Sequence, residues 1–515
     1  MRGSARWSAA ALGVAPLALL STGGWMRTAR GASWLAFNFD PPYAYLLNSL
    51  TILEGDPPFL IQHPGVPLQS IGSLVLALRH AAAGLGALSE DVIAQPEIYI
   101  MWIYWSALVV SAALVGAAGV VLWRRVGLGA ALLVQAGPWL SVIAASLSGQ
   151  LRPEALMAGA TALWTAYLVA HVEQPSRSTA VWLGVMTGVT ICLHLSALPL
   201  LVAPLLLLDS SRDRARFIAA TIGAFLVAFL PAWLKLASFA KYVVSMTLHS
   251  GHYGGGPATI IDVRGYVPAV GTLLMAEPLA SALIVVSAVV WAVWNLGART
   301  SDPEPLVRRG LGALVATDIV CVVLTAKHPD AHYLVPMFCT LGGNLWLIGR
   351  YVGARQPALQ RRVAAAALIA IGVIQMAGLR AEASSLRALR AEQEASAHRA
   401  AEAVEGDHCF RISAYRASVE EQALQWGNIT AQYKGRPPFS RAIAERFPRS
   451  AFDLGALELR DVYWKPLDLV DLLRREACVV YVRETAGAPP WPSRVRLEVL
   501  STSGLETLYR IRLTQ

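Results

Sequence analysis

Three stretches of this chain concentrate side chains that could do chemistry. The first reads Phe39-Asp40-Pro41-Pro42-Tyr43-Ala44-Tyr45, then Glu54-Gly55-Asp56-Pro57-Pro58, then His63-Pro64-Gly65-Val66-Pro67-Leu68. A carboxylate among turn-forming residues is suited to act as a general base near neutral pH. Asp40 is the first candidate for that role and Asp56 the second, with Tyr43 and His63 as candidate substrate contacts beside them. The plainer alternative is a polar loop that uses Pro and Gly only to turn. The second stretch, Leu248-His249-Ser250-Gly251-His252-Tyr253-Gly254-Gly255-Gly256-Pro257, joins two histidines and a tyrosine to a run of glycines. Such a loop can close over a ligand, which makes His249, His252 and Tyr253 candidates to face substrate. A metal held by the two histidines and an ordinary mobile loop are the other readings.

The third stretch is Lys327-His328-Pro329-Asp330-Ala331-His332-Tyr333. His328 and His332 stand four apart, the spacing of zinc ligands on a helix, but Pro329 disfavours a regular helix there. No metal is therefore assigned, and no cofactor. Arg152, in Leu151-Arg152-Pro153-Glu154, and Lys327 each lie at the end of an apolar segment. An ionisable residue in that place is a functional hypothesis by default. The alternative is a side chain that snorkels to lipid headgroups. His332 and Tyr333 join the candidate substrate contacts.

The elements that must position these residues are mostly membrane helices. Of 515 residues, 55% are hydrophobic and 15% charged, and the mean hydropathy is +0.48. Soluble domains average about 25% charged residues, so most of the chain is not built for water. Apolar segments run over residues 8–24, 101–122, 128–146, 154–171, 179–193, 195–208, 216–234, 279–296, 309–325, 333–349 and 362–379. That is about eleven spans, several near the lower length limit. His194 and Ser196 mark a break between the fifth and sixth, where a single re-entrant segment is the other reading. Residues 66–84 read as a helix lying along the membrane surface.

The arginines orient the spans. With Arg2 and Arg6 in the cytoplasm, alternate connections hold Arg124 and Arg125; Arg177; Arg212, Arg214 and Arg216; Arg299, Arg308 and Arg309; and Arg350, Arg355, Arg361 and Arg362. The opposite connections are poorer in cations for their length: Arg152, Lys235, Lys241, Arg264 and Lys327 are scattered over much longer stretches. This is the positive-inside pattern. It places residues 25–100, 235–278 and 380–515 on the outer side. It also accounts for the net charge of +9 without nucleic acid, for which no basic helix, zinc finger or RNA-binding signature is present. The first segment reads as an uncleaved span, since no small-x-small cleavage site follows it.

Residues 380–515 form a second domain, outside the membrane and after the membrane domain of residues 1–379. Residues 380–405, rich in Ala, Arg and Glu, predict a helix. Cys409 to Tyr415, Val479 to Val482, Val495 to Leu500 and Leu508 to Leu513 predict strands, and residues 418–426 and 466–475 helices, which makes a small α/β domain. Cys409 and Cys478 are its two cysteines, both at predicted strands on an oxidising side, and a disulfide between them is expected. The fold class is thus mostly α, a polytopic helical membrane domain followed by a small α/β domain.

In order, Asp-x-x-x-Tyr, a Gly about a dozen residues on, and His-Pro-Gly-x-x-Leu before an interfacial helix resemble the first outer loop of the glycosyltransferase C superfamily. This superfamily includes protein O-mannosyltransferases and aminoarabinose and arabinofuranosyl transferases. Leu151-Arg152-Pro153-Glu154, His194-Leu195-Ser196-Ala197-Leu198-Pro199, and Lys327-His328-Pro329 to Tyr333-Leu334-Val335-Pro336 are similar to later motifs of that family, in the right order, across residues 1–379. The resemblance implies a polyprenyl-phosphate sugar donor in the bilayer and an acceptor hydroxyl on a lipid, glycan or protein. It implies that Asp40 is the base, and that Arg152 and Lys327 face the donor phosphate. Many members carry two adjacent acids where this chain has Asp40 followed by Pro41, a departure that weakens any claim to a divalent metal or to the family's acceptor geometry. The Ala, Arg and Gly richness suggests a GC-rich bacterial genome and hence a multi-pass protein of the inner membrane. Two other classes stay open: a transporter or lipid carrier, which would place charges within its spans, where Asp318 is the main case, and a non-catalytic membrane scaffold.

The arginine asymmetry gives a direct test of orientation. A reporter active only in the cytoplasm, fused after Gln515, is expected to stay silent; strong activity would reverse the topology.

Overall fold

The computed structural model describes residues 2–62, 64–83, 88–297, 304–353, 357–407, 409–432, 436–454, 458–484, 492–503 and 505–514. The protein is mostly helical, with apolar membrane helices and a small mixed sheet near its C-terminus. Its contacts form two compact units. One comprises Met1–Met26, Ile61–Leu68 and Ser106–Glu382, and the other Arg27–Leu60, Gln69–Trp105 and Ala383–Gln515.

Among the described residues five helices are long and apolar enough to cross a membrane: Trp7–Arg30, Pro96–Arg125, Pro153–Glu173, Pro278–Gly297 and Pro305–Lys327. A sixth crossing results if Ser211–Ala228 and Leu230–Leu248, which meet at 87°, count as one broken span. That is fewer than the eleven apolar segments, for local reasons. Residues 128–146 divide into Leu128–Gln135, a 3-10 turn Gly137–Leu140 and Val142–Leu147. Pro138 has no N–H for a helical ladder, and Ser141 then restarts the helix by accepting the Ala144 N–H at 3.0 Å. The break at His194 is present: helix Arg177–Leu193 stops there in extended backbone. A 3-10 segment Leu195–Leu201, with Pro199 inside it, and the short helix Val202–Leu207 follow. Val263–Ala276, within a stretch read as an outer loop, is an apolar helix of 14 residues. A single helix, Pro357–Asp407, covers both the last apolar segment and the Ala-rich stretch after it.

Within the first unit, helix Pro153–Glu173 is nearly all buried, with 94% of its apolar window inside the protein. Small residues let its neighbours close up. Gly184 and Gly188 sit one turn apart on helix Arg177–Leu193, and a Cβ at either would run into the carbonyl of Phe217 or Thr221 on helix Ser211–Ala228. Lipid tails give no hydrophobic drive to pair helices, so such close backbone approach supplies the packing instead. Asp318, fully buried, receives the Thr340 hydroxyl at 2.9 Å and the Asn344 amide at 2.7 Å from helix Val335–Gly353. A polar group in an apolar interior requires such partners.

In the second unit six strands form one sheet: β1 Phe410–Ala414, β2 Ser450–Asp453, β3 Leu459–Asp461, β4 Val479–Glu484, β5 Val495–Thr502 and β6 Glu506–Leu513, in the order β3-β2-β1-β4-β6-β5. β1 runs parallel to β2 and β4, and the other pairs are antiparallel. Ile412, Ala451, Val479, Tyr481 and Ile511 pack one face against Leu469 and Leu472 of helix Leu469–Arg475. Phe410 lies opposite Val479, so the residues before them are neighbours. Cys409 and Cys478 are bonded there, with Cα atoms 4.6 Å apart.

Candidate active site

The cations and histidines of the first unit meet around one tyrosine. The 3-10 turn Ala331–Leu334 sets Tyr333 beside His332 (ring centroids 4.0 Å apart), His328 (5.1 Å) and His194 (5.3 Å). His194 comes from the break after helix Arg177–Leu193, where extended backbone turns its ring inward; it is 4% exposed. The Ser196 N–H donates to its Nδ1 at 3.1 Å, so in the neutral ring the proton sits on Nε2. His194 and Ser196 carried no site assignment from sequence, although the helix break at that point was legible.

Glu154 anchors the charged part of the site. It opens helix Pro153–Glu173, where the free N–H groups favour a negative charge. Arg152 grips it with two parallel bonds, Nε to Oε2 at 3.0 Å and a second guanidinium nitrogen to Oε1 at 3.2 Å. His332 stands between two carboxylates, with Nδ1 2.7 Å from Asp330 and Nε2 3.8 Å from Glu154. Burial alone would raise the Asp330 pKa. The hydrogen bond and charge of His332, with the charge of Arg152, outweigh that and hold it at about 2, so Asp330 is an anion at neutral pH. Arg152 is thus paired with a buried carboxylate.

Lys327 is held differently. Its ammonium donates to the backbone carbonyls of His249 at 2.9 Å, Thr247 at 3.2 Å and Ile260. All three of its N–H donors therefore tie down the glycine-rich segment between residues 247 and 260. His249 turns its Nδ1 back onto the Ser245 carbonyl at 3.1 Å, while its own carbonyl receives Lys327. His252 opens the short turn His252–Gly254, and its side chain lies outside the described set. Tyr253, at a positive φ of 55°, lays its ring against His328 with centroids 5.5 Å apart. Among the described residues no group of three or more His, Cys, Asp or Glu could hold a metal ion.

A cavity of about 270 Å³ adjoins these groups. Leu195, Leu198, Val243, Met246, Ile260, Ile261, Val323 and Leu324 line it, with His194, Ser196, Lys327, His328, Tyr253 and Tyr333 as its polar contacts. An apolar space bordered by a cation and imidazoles suits a molecule that is greasy over most of its length and anionic at one point.

The first-loop residues belong to the second unit. Asp40 is exposed between buried Phe39 and buried Pro42. Asp56 is half-buried and bonded through its N–H to the Thr51 carbonyl at 3.1 Å. Tyr43, expected to face substrate, is fully buried and donates its hydroxyl to Glu97 at 3.1 Å. Burial first, then the charge of Glu97, push that hydroxyl well above its usual pKa, so it remains a donor. Glu97 also binds Arg27 at 3.2 Å and accepts the Ser33 N–H at 2.9 Å. Tyr43 therefore serves the packing of its unit. His63 lies outside the described residues.

No protein-family model matches the chain, and no curated protein matches it. The crystal structure of ArnT from Cupriavidus metallidurans bound to undecaprenyl phosphate resembles it, with a TM-score of 0.50 over 98% of this chain and 98% of that one, at 12% identity. The apo state of the same protein gives a TM-score of 0.49 at 13% identity, over 99% and 98%. At such identity the likeness speaks to the fold: the chain has the fold of that ArnT structure.

The Arg152–Glu154 pair generates a stability test. Removing one partner of a buried pair typically costs about 3–5 kcal/mol, and Glu154 is 3% exposed. Arg152→Ala is expected to lower the melting temperature in detergent sharply, and the double replacement Arg152→Ala with Glu154→Ala to recover most of the loss. A double variant as unstable as the sum of its parts would show the two do not act as a pair.

Proposed function

We propose that this chain, having the glycosyltransferase C fold, is a membrane enzyme that moves a sugar from a polyprenyl-phosphate donor to an acceptor hydroxyl at the outer face of a bacterial inner membrane. The observation that carries the reading is the cavity: apolar walls of Leu, Ile, Val and Met with an ammonium and imidazoles on its border. A lipid-linked sugar phosphate has that chemistry, a long hydrocarbon chain and one anionic group. Undecaprenyl phosphate, held by the neighbour of the same fold, is a molecule of this kind.

In the reaction, the exposed Asp40 carboxylate takes the proton of the acceptor hydroxyl as its oxygen attacks the anomeric carbon. The bond from that carbon to the phosphate oxygen breaks, and the lipid phosphate leaves with the electron pair. A base so placed contributes roughly 10²–10⁴-fold. The phosphate gains charge as it leaves, so donors aimed at it lower the barrier. Lys327 borders the cavity and takes this role by exchanging a loop carbonyl for the phosphate, and Tyr253, His328 and Tyr333 border the same space. The surrounding helices favour this reading over transport. Asp318, the main mid-span carboxyl, is fully buried and bonded to Thr340 and Asn344 instead of lining a path.

Two variants test the assignment, each assayed with a synthetic polyprenyl-phosphate sugar and the purified full chain in liposomes. Asp40→Asn keeps the shape and removes the base, so transfer is expected to fall at least 100-fold with expression unchanged. Full activity there, with loss in Asp56→Asn, would move the role to Asp56. Lys327→Ala is expected to raise the donor concentration needed for half-maximal rate by roughly 10–150-fold, since a lost charge-assisted bond is worth about 1.5–3 kcal/mol. An unchanged donor dependence would leave Lys327 as a tie for the loop alone.

A further inference from the structure

Between Ala36 and Asn48 the C-terminal domain meets the first loop at several places, and these flank Asp40. On the N-terminal side of Asp40, the Ala36 N–H donates to the Ser418 hydroxyl at 3.2 Å. Phe39, 1% exposed, meets Tyr415 and Trp426 edge-on, with ring centroids 5.5 and 6.1 Å away and both planes at 80°. On the other side, Gly427 lies against the Tyr43 backbone so closely that a Cβ would stand 2.6 Å from its carbonyl oxygen. Further on, Asn48 is fully buried and uses all four of its bonding positions. Its amide donates to the Ala44 carbonyl at 2.8 Å and to the Thr430 carbonyl at 2.7 Å. Its oxygen accepts the Phe59 and Leu60 N–H groups at 2.8 and 3.0 Å. That last pair closes the turn containing Asp56.

We infer that the face of the C-terminal domain formed by Tyr415, Ser418, Trp426, Gly427 and Thr430 is a positioning surface for the catalytic loop, with Gly427 as its register point. Asp40 is the exposed residue of a stretch whose flanks are buried. The residues on either side of it are held by the α/β domain, so the domain sets where this stretch of backbone lies. The domain thus acts on the reaction through the loop and need not touch substrate. This rests on the proposed role of Asp40.

Gly427→Ala separates positioning from ordinary stabilisation. Gly427 lies inside helix Glu420–Ile429, where Ala is the better helix former, so the replacement supports its own helix. The added methyl meets the carbonyl oxygen and carbon of Tyr43 at 2.6 and 3.0 Å, and backbone must move. With the full chain in detergent, kcat is expected to fall about 10–100-fold, the effect of a misplaced reacting group. The donor KM should change less than twofold, and hydrogen exchange over residues 36–60 should rise while β1 and β4 keep their protection. Trp426→Ala should behave alike. Trp426→Phe should restore most activity, since its indole N–H has no partner among the described residues and the ring edge is what Phe39 meets. Unchanged loop exchange in Gly427→Ala overturns the clamp whatever the reaction is. Raised exchange with unchanged kcat overturns the positioning role. If Asp40→Asn alone retains full activity, the base assignment fails, and the exchange readout still decides whether the domain holds the loop.

Discussion

Glu154 is a carboxylate with 3% exposure at the head of the most buried helix in the membrane unit. An ion cannot lie there unpaired: several kcal/mol of desolvation must be offset by partners of good geometry. Arg152 meets that need with two parallel bonds, and His332 adds a third contact from a distant part of the chain. The turn Ala331–Leu334 is thereby drawn against the start of helix Pro153–Glu173. Tyr333 follows His332, and with it come the rings of His328 and His194. One buried acid thus ties down the turn that carries Tyr333 to the cavity's border.

The apolar walls have a separate origin. A continuous helix would fill the space that a broken one leaves open. Residues 195–208 cannot form one, because Pro199 interrupts the ladder, so the chain runs as a 3-10 segment and then a short helix. Near residue 229 the chain bends by 87° between Ser211–Ala228 and Leu230–Leu248. Leu195 and Leu198 from the first irregularity, and Val243 and Met246 beyond the second, line the cavity. Irregular backbone at membrane depth is tolerated where it is covered by protein or borders a cavity. Phe225, Phe229 and Phe239 stack across the bend and cover it.

Such origins explain what could be read from the residues and what could not. Long apolar helices such as Pro96–Arg125 and Pro278–Gly297 announce themselves by composition, and the break at His194 by its polar residues. Breaks at Gly137-Pro138 and Pro199 were hidden because hydropathy averages over a proline. The strands Cys409 to Tyr415 and Val479 to Val482 were legible from their β-branched and aromatic residues. β2 was not: Ser-Ala-Phe-Asp is short, buried at every position and without alternation. In the site, residue types pointed to Lys327, His332 and Tyr333 because charge and aromatic character are written in the side chain. The partners of Lys327 are backbone carbonyls, which no residue type reveals. The bond of Tyr43 to Glu97 was likewise not legible, since a phenol suits a substrate contact and a buried hydrogen bond equally well.

The two cations expected to face a phosphate differ in what would release them. Arg152 is bound to a buried carboxylate through two charge-assisted bonds, which are roughly twice as strong as neutral ones. Withdrawing it would strand Glu154 in the interior without its guanidinium partner. Lys327 is bound to three neutral carbonyls, two of them at exposed positions of the loop. A phosphate oxygen carries a full charge and competes well against a carbonyl dipole for an ammonium proton. The carbonyls it displaces can turn to water at little cost, whereas a displaced Glu154 cannot. Of the two, then, Lys327 has the partners that are less costly to exchange, and Arg152 the ones that are more costly.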